Sequence, residues 1–283
     1  MKVDAATLAG GSSNQDVYAV LDRTIVVLDG ASTYPTPTPG RDGRWYARTL
    51  LNALRDRLPD HDSSLASILA DAIAQVRDDH QLQPSGPSST VLMTRTKDDA
   101  LDILVLGDST LVIQHVDDTC TALTDDRLAQ VAVAERQAYL ERLHNGGGYD
   151  SQHTRLLADL QAAQRLARNH PEGYWIAECD PEAARHAISR TLPIDQVQTL
   201  LLLTDGAAAG VTTYGAPSTW PELFRELDLV RARQVLGDLH QLEETDPTGQ
   251  RWPRAKPHDD KTAIVVRSLG VFGCQDSSFG FDP

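Results

Sequence analysis

Apolar segments of strand length run into lone aspartates repeatedly along this chain. TIVVL stops at Asp29, ILVLG at Asp108 and LLLLT at Asp205, while Asp259 and Asp260 stand immediately before KTAIVV and Asp16 just before VYAVL. A single aspartate at a strand end is a turn former, and Asp29-Gly30 is a strong turn signal. Several strands that each deliver a carboxylate to one end are a different matter, because strand ends are rigid and the loops beyond them admit a ligand. Gathered without a counter-ion, such carboxylates repel one another and hold their protons above the usual range. Mg²⁺ and Mn²⁺ take oxygen ligands in octahedral geometry and keep several waters when a few carboxylates hold them. The pattern therefore calls for a fold that brings these strand ends together, and it predicts a divalent cation site where they meet.

The remaining punctuation gives the order of elements. VYAVL and TIVVL read as a hairpin closed at Asp22-Arg23, and YPTPTPGRDG is a loop that joins neither helix nor sheet. WYARTLLNALRDRL and SSLASILADAIAQVRDDH carry apolar residues at helical spacing. STVLMTRT, ALDILVLGD and TLVIQHVDD read as an antiparallel meander. From about residue 125 to 173 the pattern is helical and polar, broken by HNGGGYD, and predicts a flap. GYWIAECD reads as a strand, DPEAARHAISRTL as a capped helix and TLLLL as a buried strand. STWPELFRELDLVRARQVLGDLHQLEET supplies one or two helices and TAIVVRS the last strand. The order of strands, helices, strands, helices and strand is that of a layered α+β domain and not of strict βαβ alternation. One domain is expected over residues 1–267, with 268–283 a flexible tail.

Composition removes several classes of function. The formal net charge is −14, from 40 acidic and 26 basic residues, which argues against a nucleic-acid partner. No apolar run approaches the roughly 20 residues that span a bilayer, so no membrane partner is expected and the reading is cytoplasmic. The three cysteines, Cys120, Cys179 and Cys274, lie outside any CxxC spacing, and neither a disulfide framework nor a zinc knuckle is expected.

Taken in order, SSNQD, VVLDGAS, PSSTVLM, LVLGDS, LTDD, LLLTDG and DDKTAIVV resemble the successive motifs of the PP2C-type (PPM) metal-dependent protein serine/threonine phosphatases. The likeness is to a divergent bacterial-like member and runs from Ser12 to Arg267. It implies a four-layer αββα sandwich, two central antiparallel β-sheets flanked by helix pairs, with Mn²⁺ or Mg²⁺ as cofactor, two ions and room for a third. Carried over by position, Asp29 bridges both ions and the Gly30 carbonyl binds the second. Asp205 and Asp259 match ligands of the first ion, and Asp16 matches the acidic position at the second, directly or through water. Asp108 matches a residue that helps hold a third ion with Asp205. Asp29, Asp205 and Asp259 are thus the implied catalytic residues. The implied reaction is direct, in-line attack of a metal-bridging hydroxide on a phosphate monoester, with no cysteine or serine nucleophile.

The chain departs from the family pattern at two places. Relatives carry a phosphate-gripping arginine where this chain has Gly11; Arg23, Arg41 and Arg44 are the candidates to replace it, each more commonly a surface charge. Tyr34 falls where relatives place a histidine proposed as general acid, and tyrosine, with an ordinary pKa near ~10, is a poorer acid at neutral pH. Tyr34, His258 and Asp260 are candidates for supporting the ligands or for supplying a proton. His144, His153 and His170 are too irregularly spaced for a metal motif and read as solvated. The acidic ligand positions are intact, which favours an active hydrolase of phosphoserine or phosphothreonine in proteins. A phosphatase of the same fold acting on a small phosphorylated substrate, and a pseudophosphatase serving as a binding module, are the competing readings. A monomer is expected.

Overall fold

The computed structural model describes residues 1–31 and 40–269. Tyr34, Cys274 and nearly all of the 268–283 tail lie outside the described residues.

Two five-stranded antiparallel sheets make the centre of the molecule. In the first, β2 (Asp16–Val20), β3 (Thr24–Asp29), β4 (Val91–Lys97), β5 (Ala100–Leu106) and β8 (Ile188–Pro193) lie in that order. In the second the order is β1 (Lys2–Leu8), β10 (Lys261–Arg267), β9 (Val197–Leu203), β6 (Thr110–His115) and β7 (Cys120–Leu123). The period-2 alternation of strand side chains builds three cores from these sheets. On β3, Ile25 and Val27 join Leu92, Ile103 and Val105 of their own sheet against Leu111, Leu200, Leu202, Ile264 and Val266 of the other. The intervening Val26 and Leu28 turn outward to α1 (Gly43–Arg55) and α2 (Leu65–His80), where Tyr46, Leu50, Leu69 and Ile73 cover them. On the opposite face Leu201, Leu203 and Val265 meet Phe224 of α6 (Trp220–Leu229) and Leu236 of α7 (Ala232–Glu244). The result is the four-layer αββα sandwich that the sequence led us to expect.

The helices start where their capping residues stand. The Asp42 side chain accepts from Trp45 N at α1, and Ser64 does the same for Ser67 N at α2. Within residues 125–173, α3 (Val133–His144) and α4 (Ser151–Ala167) close on a small core of their own around Tyr139, Leu143 and Leu160. Between β9 and α6 lies the short α5 (Asp205–Ala209). Among the described residues no helix is long and apolar enough to cross a membrane.

Three local expectations are corrected, and one strand had gone unread. The meander ends after two strands: β4 and β5 pair, but β6 belongs to the other sheet. The crossing is made at Gly107, whose φ is +86° and where a Cβ would stand 2.9 Å from Thr90 Cγ2, so both backbone and space demand glycine. The opening KVDAATL is an edge strand, β1, whose alternation is too weak to declare itself without its partner β10. GYWIAECD is buried but pairs only through isolated bridges, Ser89 with Ala177 and Arg168 with Tyr174; Trp175 is spent instead on the helical-face core and on a stack against His186. DPEAARHAISRTL is a 3₁₀ turn over Pro181–His186 followed by strand β8, because Ser189–Pro193 complete the ladder along β5.

Candidate metal centre

The β2–β3 hairpin sets the first pair of carboxylates. Its antiparallel register places Asp16 directly across from Asp29, at the end away from the Asp22-Arg23 turn. The Asp29 main chain is then fixed by the PSST segment: Thr90 N and Ser89 Oγ donate to its carbonyl at 2.9 Å each, and its own N–H donates to Thr90 Oγ1 at 3.2 Å. Gly30 is required for more than a turn. A Cβ there would lie 2.4 Å from Gly43 C, because the first turn of α1 packs directly on the Asp29-Gly30 corner.

The second sheet brings the others. Asp205 opens α5 immediately after β9, and Asp259 precedes β10, the neighbour of β9. Asp16 is buried, and its Oδ2 accepts from Thr204, next to Asp205, and from Thr262 of β10, both at 2.8 Å, so two hydroxyls of the facing sheet clamp it. Its Oδ1 is buried without a hydrogen-bond partner. Burial pushes the Asp16 carboxyl up to about 8, with the Asp260 and Asp205 charges adding to it and the two threonines opposing.

Asp29 is likewise held well above the usual carboxylate range, by burial first and then by Asp16, Asp205 and Asp259. The Asp205 side chain adds to the rise at Asp29, while Asp29 opposes the rise at Asp205. Asp205 is nevertheless raised on balance, through burial and Asp259. Its Oδ1 accepts from Gly206 N at 2.7 Å. Asp108, at the β5–β6 crossing, is pushed up to about 7 by burial and by the Asp205 and Asp259 charges. All five strand-end aspartates thus belong to one electrostatic cluster.

A cation already stands among them. Lys256 Nζ donates to Asp259 Oδ1 at 2.7 Å. Burial works against its charge, but Asp259, Asp29 and Asp205 outweigh that and hold its pKa above the ordinary lysine value. Raised carboxylates, an orphaned buried oxygen and an attracted ammonium are what an oxygen-rich divalent cation site looks like with protons and a lysine in place of the ions. The residues present fit Mg²⁺ or Mn²⁺.

The remaining candidates divide. Asp260 is buried and spends its carboxylate on the Gly10 and Gln15 amides, at 2.8 and 2.9 Å, which fixes the loop leading into Asp16. His258 turns to Glu243 of α7, its Nδ1 2.8 Å from Oε2. At Gly11 an added Cβ would meet nothing within 4 Å. Of the three arginines weighed as its replacement, Arg23 sits at the far turn of the hairpin and Arg41 donates to His80 O. Arg44 lies in the first turn of α1, beside the Asp29-Gly30 corner: its backbone N lies 2.8 Å from the Gly30 Cβ position, its Nη1 donates to Ser13 Oγ at 3.3 Å, and its Nε is buried without a partner. His144 and His170 are exposed as expected, but His153 is buried, between the Tyr139 and Tyr149 rings, with Nε2 2.9 Å from Ala255 O. Thr204, Thr262, Ser89, Thr90, Lys256 and Glu243 escaped the sequence reading. The PSST, TDG and DDKT motifs hold four of these, and a lysine three residues before Asp259 was the available sign of the fifth.

Among the described residues, the group of three or more metal-capable side chains whose ligand atoms all lie within 4.8 Å of one another is His240, Glu243 and His258. That cluster already has its cation, since Lys261 Nζ is 2.8 Å from Glu243 Oε2, and the two imidazoles stack on one another with ring centroids 4.0 Å apart.

The protein phosphatase 2C family matches residues 5–242; Asp259 lies beyond that match and reaches the cluster through the fold. No curated protein matches the chain. Among solved structures, the catalytic domain of the serine/threonine protein phosphatase PstP in complex with two manganese ions is 15% identical over 93% of this chain and 96% of that one, with a TM-score of 0.54. MsPP, a PPM Ser-Thr phosphatase from Mycobacterium smegmatis, is 18% identical over 94% and 98%, TM-score 0.54. PppA, a regulatory component of T6SS in Pseudomonas aeruginosa, is 19% identical over 94% and 96%, TM-score 0.56. The chain belongs to the protein phosphatase 2C family and is a phosphoric monoester hydrolase.

Proposed function

We propose that this chain is a divalent-cation-dependent phosphatase that acts on phosphoserine and phosphothreonine in proteins. What supports the reading is that Asp16, Asp29, Asp108 and Asp205 are held above the usual carboxylate range by burial and by neighbouring aspartate charges, and that Asp259 draws in Lys256. Asp29, Asp205 and Asp259 would hold one ion, Asp29, the Gly30 carbonyl and Asp16 a second, and Asp108 with Asp205 a third. Two such cations supply a nucleophile of hydroxide strength at neutral pH and draw charge from the phosphoryl oxygens. Mn²⁺ is preferred to Mg²⁺ because the PstP structure holds manganese.

The chain's own residues do the rest. Thr204 and Thr262 orient the Asp16 carboxylate, and Ser89 and Thr90 hold the Asp29 main chain in register. The Asp260 carboxylate keeps the Gly10–Gln15 loop against the cleft. Arg44 is assigned the grip on the substrate phosphate that Gly11 cannot supply, a guanidinium being well matched to paired phosphate oxygens. The 125–173 flap is assigned the outer wall. Gln161, Gln164 and Arg165 of α4 line a cavity of about 70 Å³ together with Ala31, two residues beyond Asp29. That wall suits a substrate with chain on either side of its phosphate.

Hydrolysis of p-nitrophenyl phosphate with and without Mn²⁺, beside Asp29→Ala, tests the reading. Mn²⁺-dependent turnover that the variant loses supports it. No turnover leaves a pseudophosphatase. Failure on phosphopeptides with success on one phosphorylated metabolite moves the substrate to the small-molecule class.

A further inference from the structure

Behind Asp259 lies a buried charge pair that the aspartate cluster does not use. Lys261 opens β10 and is fully buried, and Glu243, near the end of α7, is 1% exposed. Lys261 Nζ donates to Glu243 Oε2 at 2.8 Å and to the Asp259 carbonyl at 2.7 Å. The same Oε2 meets His258 Nδ1 at 2.8 Å, while Oε1 accepts from Tyr214 at 3.0 Å. The Glu243 carbonyl accepts from Arg254 Nη2 at 3.1 Å, and Arg254 Nη1 pairs with Asp246 at 3.0 Å. Asp246 in turn accepts the amides of Gln250, Arg251 and Trp252. The whole loop between α7 and β10 is thereby tied to the end of α7, with its last tie on the carbonyl of Asp259.

A buried ion pair is poor value as a stabiliser. Desolvating both charges offsets most of their attraction, and replacing such a pair with apolar groups of like size is often neutral or stabilising. Ala263 and Val265, which alternate with Thr262 along β10 on the same face as Lys261, pack into the core toward α6 and α7, so a hydrophobic residue at 261 would fit that face. What the pair supplies that hydrophobes cannot is a directed bond to a main-chain carbonyl.

We propose that the buried Glu243–Lys261 pair is a positioning device for Asp259, anchoring the main chain from which that carboxylate projects and so setting the affinity of the aspartate cluster for its divalent cation. This rests on the reading of Asp259 as a metal ligand. Outer groups that orient ligands commonly govern metal affinity by about 10- to 100-fold.

The test is Mn²⁺ titration of the metal-free full chain, following free Mn²⁺ by electron paramagnetic resonance, with Tm measured in parallel. The Glu243→Leu/Lys261→Met double variant removes both charges together. The expected result is a Tm at or above that of the unsubstituted protein with a Kd for Mn²⁺ raised about 10-fold or more. A folded double variant with unchanged Mn²⁺ affinity overturns the proposal while leaving the phosphatase reading intact. Should the double variant not fold, Glu243→Gln keeps the size and one accepting oxygen. A Kd raised about threefold or more then supports the positioning role, and an unchanged Kd overturns it. If the unsubstituted protein itself takes up no Mn²⁺, the metal reading fails and the positioning role falls with it.

Discussion

Asp16 shows at the scale of one residue what the site is built to receive. Its Oδ2 is satisfied by two threonines, yet Oδ1 is buried and alone, an arrangement that costs the metal-free fold and that a cation would relieve. The cost has a definite sign with pH. Asp16 and Asp108 sit at about 8 and about 7 in the folded protein against an ordinary 3.8, so between those values the folded state holds protons that the unfolded chain has released. Their contribution is complete below the ordinary pKa and is lost as pH rises through the folded values. Metal-free protein should therefore lose several degrees of Tm from about pH 5 to about pH 8. Saturating Mn²⁺, which needs the ionised carboxylates, should remove that loss. Calorimetry across this range checks it, and a metal-free Tm that is flat or rising would count against the assignment. Arg44→Ala should leave Mn²⁺ affinity in place and lower kcat/KM for a phosphopeptide by about 10- to 100-fold, the worth of a charge-assisted hydrogen bond. Steady-state kinetics at saturating metal decides that one.

At the scale of elements the site depends on how closely α1 approaches the end of β3. Gly30 and Gly43 face one another with no room for a methyl group on either, since a Cβ on Gly43 would stand 2.5 Å from Ala31 O. Gly30→Ala should force α1 off the corner, cost about 1–3 kcal/mol and weaken Mn²⁺ binding with it; a denaturant melt and a Mn²⁺ titration measure the two effects. A substitution that leaves both unchanged would mean that the corner is softer than its packing implies. The same corner explains what could be read beforehand. Asp-Gly after TIVVL was legible as a turn and, with its counterparts, as a carboxylate cluster, because strand ends and turn residues are local signals. That β6 leaves the β4–β5 sheet at Gly107 was not legible, since a chain turning into the other sheet uses the same glycine as a chain turning back. β1 and β8 are edge strands whose pattern becomes meaningful only beside β10 and β5. The sequence reading gave Lys256 and Lys261 no role; only the folded loop shows one against Asp259 and the other buried on Glu243.

The whole molecule carries its charge problem into every encounter. With a formal net charge of −14 and an aspartate-lined cleft, it repels a phosphate dianion before any cation or arginine is close enough to help. Bound cations and Arg44 reverse the field locally, but the approach is made through the field of the whole surface. Between about 0.01 M and about 0.15 M ionic strength the Debye length falls from about 30 to about 8 Å, so this long-range repulsion is largely screened over that interval while contacts inside the cleft are not. For p-nitrophenyl phosphate, kcat/KM should therefore rise with salt, through a lower KM and an unchanged kcat. A phosphopeptide flanked by lysine and arginine should behave in the opposite way, its attraction to the acidic surface fading as salt is added. An acidic phosphopeptide should follow the small substrate. Measured at one saturating Mn²⁺ concentration with a non-coordinating salt, the three profiles separate steering by the surface from recognition inside the cleft. If basic and acidic phosphopeptides respond to salt alike, the acidic surface plays no part in choosing substrates, and selection falls to Arg44 and the α4 wall of the flap.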